Sequence, residues 1–165
     1  MADTDKQTSE QAAAPQDAGN IKFTVQRIFV KDLSFEAPSA PEIFRTPYKP
    51  KVSFNMNTKS NKFDENLYEV VLTMTAEVKD ENDKPMYVAE VQQAGVFEIE
   101  GLEGERLTQA LHITCPNVLF PYGRESIDSL ANKGTFPSLM LAPVNFEAVY
   151  VQAKRQQEEQ EKKAN

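Results

Sequence analysis

From Tyr68 to Val78 every second residue is apolar: Tyr68, Val70, Leu72, Met74, Ala76 and Val78. Side chains of a strand point alternately to opposite faces, so this period of two predicts a strand with one buried face. The stretch Asp80 to Pro85 (DENDKP) is turn chemistry. Met86 to Ile99 then resumes as a strand, with Tyr87, Ala89, Val91, Phe97 and Ile99 on one face and Val88, Glu90 and Gln92 on the other. Upstream, Ile21 to Glu36 reads as a long strand in which Ile21, Phe23, Val25, Phe29, Leu33 and Phe35 share one parity, broken by Arg27 and Lys31. Ile28, Val30, Asp32, Ser34 and Glu36 share the other. Val52, Phe54 and Met56 alternate into a further strand, after which Asn57 to Asn66 reads as a polar turn. Pro38, Pro41, Pro47 and Pro50 exclude regular structure and predict an irregular crossover carrying Ile43, Phe44 and Tyr48. Strands joined by short polar turns pair antiparallel.

The period becomes helical after Gly101 and Gly104, where Leu107, Ala110, Leu111 and Thr114 keep their spacing until Pro116 kinks or stops the helix. Pro121 suits the first turn of a new helix capped near Asn117, because the first four N–H groups of a helix have no partner within it. Ile127, Leu130 and Ala131 form its apolar face, and Gly134 is placed to close it in the left-handed conformation. Asn145 is placed to cap a last helix with the apolar stripe Phe146, Val149, Tyr150 and Ala153. Four strands followed by helices predict an α+β fold: a four-stranded antiparallel sheet with helices packed on one face. The second sheet face keeps apolar groups. Together with an uncovered helix stripe it favours self-association, most simply with closed two-fold symmetry.

One segment breaks the rule that loops are polar. Thr135 to Pro143 (TFPSLMLAP) carries Phe136, Leu139, Met140, Leu141 and Ala142, and its prolines forbid both helix continuation and central-strand pairing. Such a loop either plugs its own core or forms the wall of an apolar binding surface. On local grounds the plug is favoured.

Composition narrows the function. Residues 1–20 are polar and read as a disordered extension, 21–153 as one folded domain, and 154–165 as a polar, mobile tail that could also extend the last helix. A net charge of −7 and a pI near 4.8 argue against nucleic acid and anionic lipid, both of which need basic patches. No apolar run is long enough to span a bilayer, and neither a signal peptide nor membrane insertion is expected. A single cysteine cannot form an internal disulfide, which fits a reducing cytosol. His112 and Cys115, the only residues of their kinds, read as interior groups and not as a base and nucleophile. Two such groups are too few for a tetrahedral zinc site, and Gly101-Leu-Glu-Gly104 lacks the lysine of a phosphate loop. Neither an enzyme nor a cofactor is expected.

The stretches KDLSFEAPSAPEIF (31–44), YEVVL (68–72), EVQQAGVFEIEGLEG (90–104), CPNVLFPYGRESI (115–127) and GTFPSLMLAPVNFEA (134–148) closely resemble, in the same order, the SecB protein-export chaperones. The resemblance runs from Phe23 to Val151. Two departures are small: Gly123 stands where many relatives have Ala, and Ala89 where many have Cys. The resemblance implies a cytoplasmic homotetramer, a dimer of dimers, acting as an ATP-independent holdase for non-native precursors that it passes to SecA. It implies a client groove lined by Ile43, Phe44, Tyr48, Phe54, Met56, Phe136, Leu139, Met140, Leu141, Phe146, Val149 and Tyr150, which turns the apolar loop from plug to wall. It also implies that an acidic sheet face, matched by Asp32, Glu36 and Glu90, meets the zinc-bearing C-terminal tail of SecA, so that the zinc belongs to the partner. The alternative is an antifolding chaperone or toxin–antitoxin adaptor that uses the same groove without SecA.

Overall fold

The structure, a computed structural model, describes residues 20–164; residues 1–19 of the expected extension lie outside them. Among the described residues four strands form one antiparallel sheet: β1 (Lys22–Glu36), β2 (Lys51–Asp64), β3 (Leu67–Lys79) and β4 (Pro85–Glu100), in the order β1-β4-β3-β2. Three α-helices follow: α1 (Gly104–Gln109), α2 (Cys115–Lys133) and α3 (Phe146–Ala164). The α+β fold predicted from the patterning is present. The six alternating residues of β3 are all buried, as are Tyr87, Ala89, Val91, Phe97 and Ile99 of β4, and Leu119, Ile127, Leu130 and Ala131 of α2 join them in the core. Helix α2 lies across β3 and β4, with Gly123 over Met74, whose thioether would have to shift to admit a Cβ.

Several local expectations are corrected. β1 does not keep one parity. Bulges between Val25 and Arg27 and between Val30 and Asp32 each insert one residue against β4, so the facing flips twice. Ile28 and Val30 therefore pair with Gly95 and Gln93 on the helix side, while Phe29 turns to the outer face opposite Ala94. β2 runs on through the expected turn to Asp64, held by pairing to β3, and the chain reverses at Glu65 and Asn66 with Asn66 at φ 58°. Its polarity marks an uncovered sheet edge, where Ser60 and Lys62 lie exposed opposite Val70 and Tyr68. The crossover holds one 3-10 turn, Glu42–Arg45, which drives Ile43 into the core.

The helix does not stop at Pro116, and Asn117 caps nothing. A π-helical segment, Ala110–Thr114, joins α1 to α2 without a break, and the Cys115 N–H donates to the Ala110 carbonyl. The widened turn just before Pro116 relieves the clash that a prolyl ring makes with the preceding turn. Pro121 accordingly sits inside α2. Gly134 is not left-handed: its φ is −77°. Thr135 takes that conformation at φ 63°, with its N–H on the Asn132 carbonyl and the Phe136 N–H on the Ala131 carbonyl, a Schellman closure. Gly134 is small because a Cβ there would strike the Phe35 ring. Asn145 caps α3 as expected, its Oδ1 accepting from the Ala148 N–H at 3.0 Å. The boundary expected at 153/154 falls inside α3, which continues to Ala164.

Candidate functional site

The residues expected to line one groove fall into two groups and an interior set. Phe136 is 5% exposed and Ile43 1%, so both plug the core. The Phe136 ring lies 4.6 Å from Tyr87, 5.3 Å from Phe44 and 6.5 Å from Phe35, centroid to centroid. Phe44, however, is 50% exposed, and Tyr48 is exposed beside it on the crossover. In the loop after α2, Leu139 and Leu141 pack half-buried against the core while Met140 is 79% exposed. The loop is thus divided residue by residue, buried at Phe136 and open to solvent at Met140. Behind it the Tyr87 hydroxyl is buried near Tyr48, and among the described residues no hydrogen bond of good geometry reaches it. Burial first, then the Tyr48 hydroxyl and the Asp128 carboxylate, push its phenol up from the ordinary value.

The second group lines a cleft of about 280 Å³ between β2 and α3, bounded by Met56, Thr58, His112, Phe146, Val149 and Tyr150. Phe146 is interior, against Phe120, whereas Val149 is exposed. Phe54 precedes Met56 by one strand repeat and is half-buried against the core. His112, which the π segment presents to α3, stacks on Tyr150 with ring centroids 6.2 Å apart. Burial lowers its imidazole from the usual value. Glu105 of α1 ties α3 down: it accepts from the Tyr150 hydroxyl at 3.0 Å and from Lys154 Nζ at 2.8 Å. The Lys154 and Tyr150 bonds hold its carboxyl below the ordinary range. Cys115 is fully buried, and burial pushes its thiol up to about 12, far from a reactive thiolate.

On the outer sheet face the three acids come together. Asp32, Ser34 and Glu36 lie opposite Gln92, Glu90 and Val88, so Glu90 stands between the two β1 carboxylates. Thr75 Oγ1 donates to Glu90 Oε2 at 2.8 Å. Sequence reading missed a fourth acid: Glu77 on β3 is paired with Val88, in the same cross-strand row as Glu36. Its even spacing from Thr75 and Thr73, on the face opposite the apolar run, was the available signal.

Comparison with known proteins agrees with this architecture. Residues 16–157 match the family model described as preprotein translocase subunit SecB. The protein-export protein SecB of Marinobacter nauticus is 52% identical over 152 residues, 92% of each chain. That of Hahella chejuensis is 53% identical over 153 residues, 92% of this chain and 94% of the relative. Among solved structures, a SecB-like chaperone of Mycobacterium tuberculosis, in complex with a ChAD peptide from the HigA1 antitoxin, superposes with a TM-score of 0.62. It covers 74% of this chain and 90% of its own at 17% identity, a likeness of fold. With four antiparallel strands under helices, an exposed apolar loop and half-identical relatives across nine-tenths of its length, the chain belongs to the SecB family of protein-export chaperones.

Proposed function

We propose that the chain is an ATP-independent holdase that binds non-native precursors in the cytoplasm and delivers them to SecA for export. The observation that carries this is apolar surface fixed on a folded frame: Phe44, Tyr48, Met140 and Val149 are exposed where the crossover, the loop and α3 surround the core. An unfolded chain exposes apolar side chains, and burying each contributes about 1.5–3 kcal/mol with no demand on sequence. Separate subsites along one wrapped client add through effective concentration, so the two groups need not form one continuous groove. The thioethers of Met140 and Met56 adapt to clients of different shape. Relatives about half identical to this chain carry the export name, whereas the antitoxin-bound neighbour is only 17% identical, which favours export over an adaptor role.

The working form in this proposal is a homotetramer, a dimer of dimers. Its support is the β1 edge, where Val25, Val30 and Leu33 are exposed opposite Phe97, Gln93 and Val91 on the helix side. Asp32, Glu36 and Glu90, joined by Glu77, are proposed to receive the zinc-bearing tail of SecA. Retention of a permanently unfolded, tryptophan-bearing polypeptide, with and without ATP, tests the holdase. The chain lacks tryptophan, so the client reports alone. Retention unaffected by ATP is expected; absence of retention overturns the proposal.

A further inference from the structure

The tip of the apolar loop is held by one carboxylate. Asp128 on α2 accepts through the same oxygen, Oδ1, from the backbone N–H of Leu139 at 2.9 Å and of Met140 at 3.2 Å. One turn earlier, Arg124 Nη1 donates to the Leu141 carbonyl at 3.2 Å. One turn later, Asn132 Oδ1 accepts from Ser138 Oγ at 3.2 Å. Residues four apart lie in a row on a helix, so positions 124 and 128 grip the backbone from 139 to 141 while 132 holds the Ser138 side chain. Bonds from N–H groups to an ionised acceptor are the stronger kind.

The grip holds an unusual conformation. Met140 has φ 49°, in the left-handed region that side chains rarely adopt. Its neighbours Leu139 and Leu141 turn toward the core, and Met140 alone stands out at 79% exposure. The end of α2 does not need Asp128, because the bonds of Thr135 and Phe136 close the helix and burial of Phe136 anchors the start of the loop. What Asp128 determines is the posture of the tip.

We infer that Asp128 is a positioning residue for client binding, holding Met140 as a preformed, deformable apolar knob that receives the apolar side chains of an unfolded chain. This rests on the holdase reading. A loop ordered in advance loses less freedom on binding, so the latch raises affinity without touching the client.

The test uses the full chain, the unfolded tryptophan-bearing polypeptide, and four variants: Asp128→Ala, Asp128→Asn, Met140→Ser and the double Asp128→Ala, Met140→Ser. Asp128→Ala is expected to speed amide exchange at Leu139 and Met140 and to weaken client binding by about tenfold with the assembly unchanged. Asp128→Asn, which keeps an acceptor oxygen, should restore most of that loss. In the double variant the Asp128 change should add nothing to the loss from Met140→Ser, because the knob it positions is gone. Faster exchange with unaltered client affinity, or losses that simply add, would overturn the positioning role while leaving the holdase intact. A wild-type chain that retains no client would overturn the holdase reading and this inference with it.

Discussion

The ring of Phe136 lies 4.6 Å from that of Tyr87, centroid to centroid, so the loop leaving α2 begins as part of the core although its tip is open to solvent. Phe136→Ala should therefore cost about 3–5 kcal/mol of stability, as expected for a large aromatic removed from a packed interior. Met140→Ser should change stability by less than about 0.5 kcal/mol, as exposed substitutions do. Urea midpoints of the two variants check this. Equal shifts would mean that the loop is not divided into an inner and an outer half.

Two glycines make opposite predictions. A methyl at Gly134 meets the Phe35 ring, whose centroid lies 5.5 Å from that of Tyr87 and 6.5 Å from that of Phe136. Gly134→Ala should destabilise by about 1–3 kcal/mol, the usual effect of overpacking. At Gly123 the obstacle is the sulfur of Met74, a flexible unbranched side chain, and alanine gains about 1 kcal/mol in a helix interior. Gly123→Ala should be close to neutral. Thermal melts of both variants separate the cases.

How far the site could be read from sequence depended on whether its information was local. The period of two in β3 and β4 declares a face directly, and the even spacing of Asp32 and Glu36 survives because both lie beyond the second bulge of β1. Phe29 was assigned to the wrong face, although Arg27 and Lys31, which interrupt the apolar parity of β1, stand at the two bulges and were the available mark. The polar half of β2 was hidden because pairing with β3, and not its own side chains, holds it extended. Pro116 read as a kink or stop, and Pro121 as the start of a new helix, because the π segment that carries the chain past Pro116 is a property of backbone register. Asp128 was invisible as a loop anchor: its partners are the backbone N–H groups of Leu139 and Met140, which carry no residue identity.

The contact of α3 with His112 should weaken in mild acid. Burial depresses the His112 pKa in the folded state, so between that value and the unfolded value of about 6.5 the unfolded chain binds more protons, and stability rises with pH. The contribution is present above about pH 6.5 and is lost as pH falls through the folded pKa. Tyr150, the ring stacked on it, is bonded through its hydroxyl to Glu105, which also accepts from Lys154. As the only histidine, His112 gives an isolated imidazole proton signal, whose midpoint should lie below 6.5 in the folded protein and return to it in urea. A folded midpoint above 6.5 would contradict the burial of the ring.

Docking of SecA on the acidic face should be separable from client holding. The triple change Asp32→Lys, Glu36→Lys, Glu90→Lys should abolish SecA binding in calorimetry, and added salt should weaken the unaltered complex, since exposed charges act over about 8 Å at physiological ionic strength. Client retention by the triple variant should be unchanged, because these side chains point away from the helix face. Undiminished SecA affinity would place that contact elsewhere.

The most direct test of the holdase is the native mass of the chain mixed with the unfolded, tryptophan-bearing polypeptide in the absence of nucleotide. The account predicts one species with the mass of four chains plus one client, lost when Met140 and Phe44 are both changed to Ser while the four-chain mass remains. Chain and client travelling separately at micromolar concentration, or a complex that forms only with ATP, would contradict it.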